Sequence, residues 1–259
     1  MHTSFKVHSI RRYPVKGFQA ECLDHTEMHK DALLPGDRMW GFTAGHTATD
    51  EIADGTWMKK AHFLQLMRFS ELAKLSVKFV SKTNEASLLH EGKVVISGDL
   101  TDPNIAANFC EELQNIMQRA GFELPNKIGL RHLSTGGFSD TKAPWISLGG
   151  TASLTDFAAA TQTEGHPERF RLNIWLETEK PFEELNWIGR RAQIGTAMIR
   201  FMEPVGRCAA INVHPQSAVR ADDLTKIMRD HYNHDNLGVF ALIEKAGNLS
   251  VSDAFTLLD

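Results

Sequence analysis

The chain has 259 residues, 42% of them apolar and 23% charged, which is enough to bury a core as one large domain or as two closely joined regions. Its net charge of -4 and its lack of a basic run argue against general nucleic-acid binding. The chain begins without an apolar signal segment and has no run long enough to cross a bilayer, which predicts a cytoplasmic protein with no membrane span.

The amino-terminal half contains patterns typical of strands and one clear helix. Runs of apolar and β-branched residues predict strands at 5–10, 76–80, 86–90 and 93–97, with a tight turn at Glu91-Gly92 between the last two. The helix is predicted to begin after Asp102, whose side chain suits an N-cap, and to end at Gly121. Between those residues, apolar side chains recur at helical spacing.

The carboxy-terminal half is also rich in strand patterns. Strands are predicted at 170–177, 191–194, 197–202, 208–213, 237–244 and 249–251. Ser153 is predicted to cap a second helix, because Ser153-Leu154-Thr155-Asp156 resembles a capping box, and a third helix is predicted at 222–232. The mixture is typical of an α+β protein that is mainly β, a barrel with a few covering helices.

The predicted strand at 170–177 alternates in character. Its apolar residues share one face, whereas Arg171 and Asn173 share the other. A guanidinium and a carboxamide two residues apart form a donor and acceptor pair that suits a planar heterocycle or a phosphate. The alternative is that this face is simply exposed to solvent.

Four cations stand near the ends of predicted strands in a mildly acidic protein. Lys16 follows Tyr13-Pro14-Val15, and Arg38 follows Gly36-Asp37; the other two are Arg171 and Arg207. Each could be a surface charge, which is usual for a single lysine. If they converge, they form a pocket for an anion.

Cys208 directly follows Arg207 at the end of a predicted strand. A cysteine beside a guanidinium can be held as a thiolate, the form that binds a soft metal, although free cysteine is also a common small core residue. We interpret Cys22 and Cys110 as structural. Three cysteines far apart indicate a reducing compartment rather than a disulfide framework.

Seven short motifs, in this order, resemble the MOSC family (the molybdenum cofactor sulfurase C-terminal domain) with the β-barrel region that normally precedes it. The amino-terminal motifs are Tyr13-Pro14-Val15-Lys16-Gly17 and Gly36-Asp37-Arg38-Met39-Trp40. The carboxy-terminal motifs are Ala152-Ser153-Leu154-Thr155-Asp156-Phe157, Arg169-Phe170-Arg171-Leu172-Asn173, Trp187-Ile188-Gly189, Pro204-Val205-Gly206-Arg207-Cys208 and Gly247-Asn248-Leu249-Ser250-Val251-Ser252-Asp253. The resemblance implies a MOSC-type β-barrel with a few covering helices over 121–259, preceded by an intimately packed β-rich region over 1–120.

The resemblance also implies a cofactor, molybdopterin with molybdenum. Cys208 corresponds to the catalytic cysteine that completes the coordination of the metal. The residues predicted to bind the anionic pterin are Lys16, Arg38, Arg171 and Asn173, which match family positions, together with Asp140 and Arg207. Leu172, Ile211 and His214 depart from residues that the family often has, and the last two affect the expected substrate more than the expected cofactor.

By resemblance, the predicted reaction is the reduction of N-hydroxylated compounds such as amidoximes or hydroxylamines. Three separated cysteines cannot hold a four-thiolate iron–sulfur cluster, so electrons are expected from a separate ferredoxin-like or haem protein and its reductase. One alternative is a sulfur carrier that holds a persulfide on Cys208 for metal-sulfur or cofactor assembly. Another is a non-catalytic protein that binds or delivers molybdopterin.

Overall fold

The computed structural model of the protein describes residues 4–44, 55–80, 83–124 and 127–258. Within these ranges the chain forms fifteen strands and three α-helices. The strands are β1 Ser4–Arg12, β2 Glu21–Leu23, β3 His25–Met28, β4 Trp40–Thr43, β5 Leu75–Val80, β6 Glu85–His90, β7 Lys93–Asp99, β8 Gly129–His132, β9 Trp145–Gly150, β10 Ile174–Leu176, β11 Arg191–Ile194, β12 Ala197–Gly206, β13 Asn236–Lys245, β14 Gly247–Ser250 and β15 Ala254–Leu258. The helices are α1 Pro103–Arg119, α2 Thr151–Thr161 and α3 Leu224–Tyr232, and none of them is long and apolar enough to span a membrane.

Seven of the strands close into a barrel in the order β10-β9-β13-β12-β11-β15-β1. β1 closes it by pairing with two neighbours, so that Val7 lies opposite Leu176 of β10 and Phe5 lies opposite Phe255 of β15. β2 then extends the sheet beyond β1. The prediction of an α+β protein that is mainly β, with a barrel and a few helices, is therefore confirmed.

The barrel interior is filled by side chains that alternate along each strand. On β12, Ala197, Ile199 and Phe201 point to the core and are at most 1% exposed. Across the ladder, Ile199 lies opposite Ile243, and Phe201 lies opposite Ala241. Each large apolar side chain buried in this way contributes roughly 1.5–3 kcal/mol to folding.

A smaller unit lies beside the barrel, formed by the sheet β5-β6-β7 and by α1. The prediction of α1 is confirmed, because the Asp102 carboxylate accepts hydrogen bonds from the amides of Asn104 (2.7 Å) and Ile105 (3.3 Å). The helix is followed by Gly121 at φ +82°, a conformation that glycine adopts at little cost. Its buried face includes Phe109 and Leu113, which pack into the core of this unit.

The two regions share strands. β1 belongs to the barrel although it opens the chain, and β3 pairs with β14 from the carboxy-terminal end. The boundary between a first region at 1–120 and a second at 121–259 stays a prediction. The two regions are joined by these strand pairings.

The predicted start of the second helix is wrong. α2 begins at Thr151 after Gly150, and Ser153 lies within its first turn. The Ser153 hydroxyl donates to the Glu184 carboxylate at 2.7 Å and accepts from the amide of Phe182 at 2.7 Å. The Ser153 hydroxyl therefore bonds to Glu184 and Phe182, which are distant in the sequence, and it does not cap the helix.

Two predicted strands are also wrong over part of their length. Residues 170–173 are not extended, because Arg171 is left-handed at φ +55°, and β10 is confined to Ile174–Leu176. Residues 209–212 form a 3-10 turn, in which the amide of Ile211 donates to the carbonyl of Cys208 at 3.1 Å. Both departures lie where the chain borders a cavity.

Sequence patterns did not indicate β9 or β15, although both are barrel strands. β9 is buried on both faces, and its residues alternate between apolar and polar only at 146–148, which is too short a run to predict a strand. Its two carboxy-terminal residues, Gly149 and Gly150, also weaken the signal of a strand.

Candidate functional site

A cavity of about 330 Å³ lies where one end of the barrel meets the amino-terminal region. All seven residues predicted to form a site border this cavity. They are Lys16, Arg38, Asp140, Arg171, Asn173, Arg207 and Cys208. The structure therefore brings together side chains that are far apart in the sequence.

Backbone pairing of two early segments brings Lys16 and Arg38 to the same wall. The amide of Lys16 donates to the carbonyl of Trp40 at 2.8 Å, and the amide of Trp40 donates to the carbonyl of Pro14 at 3.1 Å. The amide of Arg38 donates to the carbonyl of Tyr13 at 2.6 Å. Two motifs separated along the chain thus form one short ladder at the edge of the cavity.

The loop between β8 and β9 packs closely against this ladder. The amide of Phe138 donates to the carbonyl of Arg38 at 2.8 Å. Its neighbour Gly137 has no side chain, and a Cβ at that position would lie 2.3 Å from the carbonyl oxygen of Asp37. Glycine at 137 is thus required for the loop to reach the cavity.

Lys16 and Asp140 form an ion pair at the cavity. The Lys16 ammonium is largely buried and lies 2.7 Å from the Asp140 carboxylate and 2.7 Å from the carbonyl oxygen of Phe138, to both of which it donates. Burial lowers the pKa of Lys16, and Asp140 opposes that effect. Burial alone would raise the pKa of Asp140, but Lys16 and its neighbours lower it to about 2, so this carboxylate is ionised at neutral pH.

The aromatic ring of Tyr13 supports two of the cations. The guanidinium carbon of Arg38 lies 4.8 Å from the ring centroid, and that of Arg171 lies 4.5 Å from it, which are distances for cation–π contact. Burial raises the pKa of Tyr13 to about 12, so its hydroxyl stays neutral. The buried Asp37 accepts from the Tyr13 amide at 2.9 Å and pairs with Arg38, holding that guanidinium in place.

Arg171 reaches the cavity from a left-handed turn rather than from a strand face. Its guanidinium donates to the carbonyl of Phe18 at 2.6 Å, and its own carbonyl accepts from the Arg38 guanidinium at 2.9 Å. Burial lowers the pKa of Arg171 to about 10, which still leaves it charged at neutral pH. Arg171 was predicted to point to the site because of strand alternation. It does border the cavity, but the cause is its left-handed backbone conformation.

Asn173 is buried and uses most of its amide within the protein. Its Oδ1 accepts from the Ser147 amide at 3.1 Å and the Ser147 hydroxyl at 2.9 Å, while its Nδ2 donates to the carbonyl of Arg11 at 3.3 Å. Asn173 therefore braces β9 against β1. Its predicted contact with a cofactor stays a prediction. One N–H of the Asn173 side-chain amide is not used in these bonds and could donate to a ligand.

Arg207 and Cys208 lie directly after β12. The amide of Arg207 donates to the carbonyl of Asp235 at 2.8 Å, and the Arg207 guanidinium donates to the carbonyl of Phe170 at 2.8 Å. Burial lowers the pKa of Arg207 to about 10, and the electrostatic interaction with Cys208 opposes that effect. A half-buried thiol thus borders the cavity next to a fixed positive charge.

The other two cysteines lie elsewhere. Cys22 is exposed, and Cys110 is buried in the core of the smaller unit, where burial raises its pKa to about 11. All three cysteines are within the described residues and all are free, and of these Cys208 alone borders the cavity.

Sequence reasoning missed Arg169, whose side chain holds the turn that carries Cys208. Arg169 is 3% exposed, and its guanidinium donates to the carbonyls of Ile211 at 2.7 Å and Val213 at 3.2 Å. It lies within a motif quoted above, but no local signal shows that its partners are 42 and 44 residues away. Lys60, an exposed cation at the cavity, was also missed.

We expect the substitution Arg169→Met to loosen this turn. Removing the guanidinium leaves two buried carbonyls without a donor, which costs about 2–6 kcal/mol of unfolding free energy at roughly 1–3 kcal/mol for each group. Urea denaturation measures the loss, and amide hydrogen exchange at 209–213 should accelerate. Arg200→Met, at an exposed arginine of β12, is the control; equal exchange in the two variants would contradict the role of Arg169.

The described residues give the cavity a strong excess of positive charge. One carboxylate, that of Asp140, borders it. The cations that border it are Lys16, Arg38, Lys60, Arg169, Arg171 and Arg207. A partly enclosed site with this balance favours an anionic ligand.

Part of the chain matches a known protein family. Residues 138–256 match the model of the MOSC domain family. This part of the chain, which is less than half of it, is similar to MOSC domains. The matched residues include five of the predicted site residues, while Lys16 and Arg38 reach the same cavity from the preceding region. MOSC domains are associated with binding of the molybdenum cofactor in sulfurase-like and oxidoreductase proteins.

Solved structures similar to the chain share little of its sequence. The YuaD protein from Bacillus subtilis is 10% identical with a TM-score of 0.45, covering 99% of this chain and 97% of that one. YiiM from Geobacillus stearothermophilus is 15% identical and YiiM from Escherichia coli is 17% identical, with TM-scores of 0.36 and 0.33. Each YiiM alignment covers 44% of this chain and 54% of the YiiM chain. No curated protein matches this chain.

Proposed function

We propose that this protein binds molybdopterin with molybdenum in the cavity and reduces N-hydroxylated compounds such as amidoximes or hydroxylamines. The observation that carries the proposal is the meeting of one free thiol with an excess of lysine and arginine side chains in a single cavity. The donor set fits the cofactor, because thiolate is a soft ligand for a metal and guanidinium groups suit a phosphate. When bound, the cofactor would supply a two-electron redox centre.

The residues that border the cavity would have two roles: some would bind the phosphate of the cofactor, and one would bind the metal. Lys16, Arg38 and Arg171 would neutralise the phosphate, and the last two are held in position by the ring of Tyr13. Cys208 would complete the coordination of the metal, with the positive charge of Arg207 beside it.

The walls of the cavity combine these charges with apolar side chains. The apolar lining includes Trp145, Phe170, Ile211 and Phe240. Ile211 lies in the turn that begins at Cys208, so an apolar surface stands close to the thiol. Such a wall suits the organic part of an N-hydroxylated substrate. Electrons would come from a separate ferredoxin-like or haem protein and its reductase.

Molybdenum analysis of the purified protein tests the proposal. We expect bound molybdenum after expression in a host that makes molybdopterin, none after expression in a host that does not, and turnover of benzamidoxime with an artificial electron donor. Bound molybdenum without turnover would instead indicate a non-catalytic binding or delivery protein. Sulfane sulfur released from Cys208 by a thiol reductant would indicate the sulfur carrier. Protein that holds no molybdenum in the first host contradicts the proposal.

A further inference from the structure

We propose that Asp140 determines which anions the cavity accepts, by acting as a built-in anion that an incoming ligand must outcompete. This inference rests on the proposed function, because it concerns the ligand of the same cavity. It gives Asp140 a role opposite to that of a direct contact with the cofactor, since a carboxylate repels a phosphate.

The position of the Asp140 carboxylate is the first observation. One of its oxygens lies 2.7 Å from the Lys16 ammonium, and the other lies 3.9 Å from the Lys60 ammonium. It is also the single carboxylate that borders the cavity among the described residues. Asp140 therefore occupies a place between two ammonium groups that a ligand oxygen could take instead.

Its electrostatic reach is the second observation. The charge of Asp140 acts on the guanidinium groups of Arg38, Arg171 and Arg207, as well as on Lys16 and Lys60. A single negative charge thus faces cations on several walls. In that position it offsets part of the field that would otherwise attract any small anion.

The third observation is that Asp140 can leave Lys16 without breaking the core. It lies in the segment between β8 and β9, outside helix and strand, and its side chain is 57% exposed. Lys16 would keep its bond to the carbonyl of Phe138 after Asp140 moved away. The Asp140 end of the pair is in contact with solvent, so its carboxylate can be hydrated when it leaves, and an anion that takes its place keeps the buried Lys16 ammonium paired.

The consequence is a requirement on the charge of the ligand. A monoanion that replaces Asp140 beside Lys16 gains about as much attraction as is lost. A phosphate dianion gains more, because it brings a second charge and more acceptor oxygens to the surrounding guanidinium groups. The cavity should therefore prefer phosphate groups over monoanions such as nitrate.

Isothermal titration of the cofactor-free protein with inorganic phosphate and with sodium nitrate tests this. We expect Asp140→Asn to bind phosphate about tenfold more tightly than the unaltered protein, the size of effect produced by removing one like charge from a partly shielded site. Nitrate, which is expected to bind the unaltered protein too weakly to measure, should bind Asp140→Asn measurably, because the competing carboxylate is removed for both ligands. Asp140→Glu, which keeps the charge, should retain weak binding. Asp24→Asn, at an exposed aspartate outside the cavity, controls for net charge.

The outcomes separate this inference from the proposed function. Weaker phosphate binding by Asp140→Asn would mean that Asp140 contacts the ligand directly, and unchanged binding would mean that it takes no part; either result overturns the inference. Both can occur in a protein that still holds molybdenum, which would leave the proposed function standing. If neither the unaltered protein nor the variant binds phosphate, the inference fails, and molybdenum analysis decides the proposed function on its own.

Discussion

Cys208→Ser is expected to lower benzamidoxime reduction by at least about a hundredfold while leaving the fold intact. The loss follows from the removal of a metal ligand, whose effect should exceed the 10- to 100-fold that is typical for residues that only support ligands. Cys208 is half-buried, and its backbone carbonyl, which the amide of Ile211 needs, is unchanged by the substitution. The measurement is turnover per bound molybdenum, with the number of sulfur ligands determined by X-ray absorption.

Cys22→Ser is the matched control for Cys208→Ser. Cys22 is an exposed free cysteine outside the cavity, so this variant loses one thiol without touching the site. We expect it to retain full turnover and the same sulfur coordination. Full turnover in Cys208→Ser, or identical sulfur coordination in the two variants, would contradict the role of Cys208 as a ligand.

Arg171→Gln is expected to lower molybdenum occupancy about tenfold or more when the protein is produced at limiting cofactor. Arg171 is charged at neutral pH and lies within the cavity, so its loss removes one cation from the anion site. Glutamine still has an N–H that can donate to the carbonyl of Phe18, which limits the loss of unfolding free energy to about 1–2 kcal/mol. Elemental analysis and urea denaturation of the same preparations measure the two effects.

Two further variants show whether charge is the cause. Arg171→Lys keeps the charge, although it loses the planar donor arrangement, and it should hold more molybdenum than Arg171→Gln. Arg200→Gln makes the same chemical change at an exposed arginine of β12 and should leave occupancy unaltered. Equal molybdenum content in Arg171→Gln and Arg200→Gln would show that Arg171 does not contribute to binding of the anion.

The elements that sequence patterns predicted well are those whose stability is local. The helix at Pro103–Arg119 has its cap, its first-turn proline, its apolar stripe and its terminal glycine within one short segment. The strands at Glu85–His90 and Lys93–Asp99 pair with each other across a short turn. In such segments, the caps, the turn and the strand pairing come from residues close in the sequence.

Prediction failed where a distant partner decides the conformation. Ser153 was expected to cap a helix, but Glu184 and Phe182 bind its hydroxyl. Arg171 was expected on a strand, but it adopts a left-handed turn, in which its carbonyl accepts from Arg38 and its guanidinium donates to Phe18. Alternation of apolar and polar residues says nothing about bonds to groups that lie more than a hundred residues away.

The amino-acid sequence is sufficient to identify the chemical groups of this protein: a thiol next to an arginine, several cations in short motifs, and enough amphipathic strands for a barrel. The folded structure was needed to show that these cations share one cavity with the thiol, that the side-chain amide of Asn173 bonds to Ser147 and Arg11, and that Asp140 lies among the positive charges. The physical reason is that composition and spacing act along the chain, whereas the field inside a cavity depends on distances between side chains that only folding sets.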